Sequence, residues 1–109
     1  MTLPGSAYDI VERYPALSPG EAKFAAWLQD KLPYLADLWD WENSIMDFEL
    51  VDRYLSTASH GQAIMCRFAV GVWRWTNDRD FDLFEAAQTL DDENMAIISE
   101  WAQSPWFVG

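Results

Sequence analysis

The chain has 109 residues, a length that suits one domain, and half of them are hydrophobic with 16% aromatic, which is too much apolar material for a disordered chain. Eighteen acidic residues against seven basic leave a net charge of −11, so direct nucleic-acid binding lacks the Lys and Arg that phosphate contacts need. These numbers predict a single helical domain over residues 1–109, with enough apolar surface to build a core without disulfides or a structural metal.

In chain order, Met1 to Ser6 show neither a basic n-region nor an apolar h-region, and Pro4 and Gly5 oppose a signal helix, so the segment reads as a mature start. A short helix is expected over 6–14. Ser18-Pro19-Gly20-Glu21 then combines a Ser N-cap, Pro at the first helical position and Glu three residues after the cap. The helix it opens should run from Pro19 to about Leu32, with Phe24, Leu28 and Leu32 on one face and Lys23, Asp30 and Lys31 in water. Pro33 can open a further short helix carrying Tyr34, Leu35, Leu38 and Trp39, with a break or bend at residues 40–43. From Ser44, the spacing of Ile45, Phe48, Val51 or Asp52, Leu55 and Ala58 predicts another helix ending near Thr57.

Ser59-His60-Gly61-Gln62 is a second capping box, and it precedes the most hydrophobic stretch, 63–75. Apolar around most of its circumference, this segment is the expected buried central helix, near 61–76. Gly71 within it predicts close packing of a backbone or a ring against that position. Arg67 and Arg74 interrupt the stretch, which falls short of the roughly 20 residues a bilayer span needs. Asp78, Asp80 and Asp82 lie near the N-terminus of one more helix, with Leu83, Phe84, Ala87 and Leu90 on its apolar side, and Leu90-Asp91-Asp92-Glu93 opens a last helix that ends before Pro105. The apolar tail Trp106-Phe107-Val108 is expected to dock on the core. No sustained strand alternation or Asn-Gly hairpin signal is present. The predicted fold is therefore all-α, a single compact bundle of about five or six helices.

Candidate chemistry is sparse. Asp78, Asp80 and Asp82 resemble the first half of a calcium loop, but Leu83 and Thr89 stand where Gly and a bidentate Glu are required. His60 is the single histidine, and helical spacing sets it on the opposite side from Cys66, so a Cys–His pair is not expected. Ser6, Ser44 and Ser59 lack a nucleophile elbow, and no Gly-rich phosphate loop occurs, so neither an enzyme nor a cofactor is read here. With one cysteine the chain can form no internal disulfide, which places the expectation in the cytoplasm. Membrane binding is opposed by the acidic charge.

The charge distribution carries more. From Leu32 to Asp52 there is no Lys or Arg, while Asp37, Asp40, Glu42, Asp47, Glu49 and Asp52 alternate with Tyr34, Trp39, Trp41 and Phe48. The residues after Arg79 likewise carry only acids. This points to a non-enzymatic interaction module whose residues Asp37, Trp39, Asp40, Trp41 and Glu42 receive a basic protein partner, the acids steering and the indoles anchoring. Rings at helical spacing can equally well fill the core. A nucleic-acid-mimicking inhibitor and a carboxylate-based metal-dependent hydrolase are the alternative readings. A homodimer is compatible with the first, through the tail or an exposed Trp.

Overall fold

The computed structural model describes residues 7–108, so the predicted helix start at Ser6 and the N-terminal segment before it lie outside the described residues. The protein is all-α apart from one two-stranded ribbon, with six α-helices and one 3₁₀ helix among the described residues. The chain divides into two units, one reaching to Val51 and including Val108, the other Asp52–Phe107.

In the first unit, α1 (Ala7–Arg13) packs against α2 (Pro19–Lys31) and buries Ile10. α2 starts where its capping box predicts. The Glu21 amide donates to Ser18 Oγ at 3.1 Å, and the Ser18 amide donates back to Glu21 Oε1 at 2.7 Å. Phe24, Leu28 and Leu32 are buried as their fourfold spacing requires, and the Leu32 amide closes the helix on the Leu28 carbonyl at 2.7 Å. Pro33–Leu38 then forms the 3₁₀ helix, packed on α2 with Leu35 and Leu38 inward.

The next segment departs from the helical expectation. Trp39–Asp40 (β1) pairs antiparallel with Ile45–Met46 (β2), in the register Trp39 to Met46 and Asp40 to Ile45. The turn between them needs no glycine, because Ser44 takes the left-handed conformation with φ 56°. Helix α3 (Phe48–Thr57) therefore starts three residues later than the spacing of Ile45 and Phe48 suggests. Asp47 sets that start. Its amide donates to the Leu38 carbonyl at 2.9 Å, extending the ribbon, while its Oδ1 accepts from the Leu50 amide at 3.1 Å and caps the helix.

In the second unit, α4 (His60–Arg74) carries a run of buried residues that includes Ile64, Met65, Cys66, Phe68 and Val72, as its all-round hydrophobicity predicts. It opens on the Ser59 and Gln62 box and ends one residue before Trp75, whose φ of 61° is left-handed and whose ring is 61% exposed. Trp75 thus leaves the buried helix in which the sequence places it. The close neighbour of Gly71 is the Thr76 carbonyl, which an added Cβ would meet at 3.4 Å.

α5 (Leu83–Thr89) is turned relative to expectation. Ala86 is buried, Ala87, Leu83 and Phe84 are exposed, and Phe84 reaches 80%. Seven residues make barely two turns, so the side facing α4 is chosen by packing rather than by the apolar pattern. α6 (Asp92–Gln103) begins at the Asp91 cap and buries Ile97 and Ile98. The tail docks: the Trp101 indole N–H donates to the Trp106 carbonyl at 2.8 Å, and the Phe107 ring lies edge-on to Trp101 at 5.4 Å.

Candidate interaction face

The acidic segment is built on the ribbon of the first unit. Because side chains alternate along a strand, Trp39 and Trp41 point inward and Asp40 and Glu42 outward. The two indoles are 5% and 8% exposed, stacked on each other, and both touch Phe24 of α2. Of the five residues that the sequence nominates, the structure thus exposes Asp37, Asp40 and Glu42 and packs Trp39 and Trp41 into the core.

The outer surface has its own apolar contacts. Ile45 lies opposite Asp40 in the ribbon and is 56% exposed, and Tyr34 and Phe48 are exposed on the same stretch of chain. Ile45 cannot be found by composition, since its exposure follows from the strand register. Asp47 and Glu49 add exposed carboxylates. Asp40 is held in place by Asn43, whose side-chain amide donates at 2.8 Å and whose backbone amide donates at 3.3 Å. The Asn43 side chain leads in keeping this carboxyl below its ordinary value. In the second unit Asp52 faces Arg79, with 3.2 Å between carboxylate and guanidinium.

The other candidate groups are engaged in structure. Asp78 bonds Arg74 at 2.8 Å, and Asp82 caps α5 through the Phe84 and Glu85 amides at 2.8 and 3.0 Å. Among the described residues no group of three or more His, Cys, Asp or Glu side chains could hold a metal ion. His60 lies 3.4 Å from Glu85 at the surface, while Cys66 is fully buried, and burial pushes its thiol up to about 12. The Ser59 hydroxyl serves its helix cap, Ser44 forms part of the turn, and Ser6 lies outside the described residues.

The second unit also holds a cleft of about 290 Å³. Its wall is a chain of rings: Phe81 against Phe68, Phe68 against Trp101, Trp101 against Phe107 and Phe107 against Trp75, with centroids 5.3 to 5.4 Å apart. No helix among the described residues is long and apolar enough to cross a membrane. No protein-family model, curated protein or solved structure matches this chain.

Proposed function

We propose that this protein is a non-enzymatic interaction module that binds a basic segment of a protein partner through the outer face of its ribbon. The observation that carries this reading is the pairing of Asp40 with Ile45. An oriented carboxylate and an exposed aliphatic side chain stand next to each other on one face, within a stretch of chain that lacks any Lys or Arg. Asp37, Glu42, Asp47 and Glu49 supply the field that steers a cation inward, and Tyr34, Ile45 and Phe48 supply apolar contact in place of the buried indoles. The cytoplasm is the compartment that goes with this reading, since the single cysteine forgoes disulfide chemistry.

The test is binding of a Lys- and Leu-rich peptide, with a Glu- and Leu-rich peptide of equal length as control. It is read at about 0.01 M and about 0.15 M salt, where the screening length falls from about 30 Å to about 8 Å. The expected result is capture of the basic peptide alone, with association slowed by salt and by the combined change Asp37→Asn, Asp40→Asn and Glu42→Gln. Equal association rates for the wild type and this triple variant would refute the reading.

A further inference from the structure

We propose that the ring-lined cleft of the second unit is a binding site for a small planar aromatic carboxylate. Its capacity of about 290 Å³ lies at the lower edge of ligand pockets, enough for a compact ring system and little more. The five rings Phe68, Trp75, Phe81, Trp101 and Phe107 offer faces and edges suited to a flat apolar body.

The polar groups of the lining decide what head such a body carries. Asn77 is closed on its own loop, its Oδ1 accepting from the Phe81 amide at 2.7 Å and its Nδ2 donating to the Phe81 carbonyl at 2.9 Å. The Trp101 N–H is committed to the Trp106 carbonyl. Thr76 and Arg67 complete the polar lining, and Arg67 alone carries charge: its guanidinium forms an ion pair with Glu85 at 3.9 Å, too long for a hydrogen bond, so an anion at the cleft would share it with Glu85. A guanidinium has five N–H donors and no acceptor, so the charged group that this cleft can serve is an anion, and its planar fork suits a carboxylate. Trp75 at the lip is held in the left-handed region, a costly conformation for a bulky residue, which sets its ring at the rim with Phe107.

This site is separate in residues and in chemistry from the acidic ribbon, so each proposal can fail alone. The experiment titrates the full chain with naphthoate and with the uncharged naphthamide. It follows the indole N–H resonance of Trp101 by heteronuclear NMR, alongside sedimentation of the same samples. The expected result is a saturable shift of Trp101 with the acid bound about tenfold more tightly than the amide, the factor of one charge-assisted contact. Arg67→Gln should bring the acid down to the level of the amide and leave the amide unchanged. Gly71→Ala, whose new methyl meets the Thr76 carbonyl at ordinary contact distance and takes volume from the cleft, should weaken both. Equal affinity for acid and amide, shifts that miss Trp101, or no saturation at millimolar probe would overturn the proposal. So would a Trp101 shift that follows protein concentration together with self-association, since the cleft would then be filled by a second copy.

Discussion

Trp39 and Trp41 stack with their ring planes 9° apart and their centroids 5.6 Å apart, although Asp40 stands between them in the chain. Two residues along an extended backbone return a side chain to the same face, so the pair acts as one apolar plate laid on Phe24. Trp41→Ala should cost about 3–5 kcal/mol, the range for emptying a buried aromatic site, whereas Asp40→Asn on the opposite face, which keeps one oxygen for Asn43, should cost far less. Urea denaturation of the two variants checks this.

Glu21 governs part of the acid response. Partial burial raises its pKa, but the Ser18 amide, the nearby Ser44 hydroxyl and the Ser18 hydroxyl outweigh that and hold it below the ordinary value of 4.5. A carboxyl lowered in the folded state stabilises it above the ordinary value and loses that contribution as pH falls through the lower, folded one. Glu21→Gln should therefore flatten the fall in denaturation midpoint below about pH 4.5, with no gain near neutrality.

Cys66 behaves in the opposite sense. Burial raises its thiol from an ordinary value of 9.0 to about 12, with Arg67 and Arg79 pulling weakly the other way. Stability is intact below 9.0 and declines as pH rises through that value, because the unfolded chain ionises first. Native protein at pH 8 should resist a thiol-specific disulfide reagent, and guanidinium should release one equivalent per chain.

Asp82 is the third lever. Its carboxylate accepts from two backbone amides and opens a helix of only seven residues, which has little other local support. Asp82→Ala should cost about 1 kcal/mol and speed amide exchange within α5 more than within α4.

Helix borders are legible wherever their signals are local. Ser18 with Glu21, Ser59 with Gln62, and Asp91 each close bonds within three residues, so the amino-acid order alone locates them. The ribbon is harder to read. Its alternation covers only residues 39–42, and its turn relies on Ser44 and on the Asp40–Asn43 bond in place of Asn-Gly. The sequence marks Asp37, Asp40 and Glu42 as acidic, but the contrast between them and the buried indoles depends on strand direction and so on Phe24. The cleft is less legible still, because Phe68, Phe81, Trp101 and Phe107 belong to separate segments that meet only after folding.

The outward ring of Trp75 has an optical consequence. Of the seven indoles, the other six are buried or half-buried, so a water-borne quencher should extinguish mainly the red-shifted edge of the emission. Because that indole sits on the lip of the cleft, the protein carries an intrinsic fluorophore beside the cavity, and a molecule seated there would shade it from the quencher.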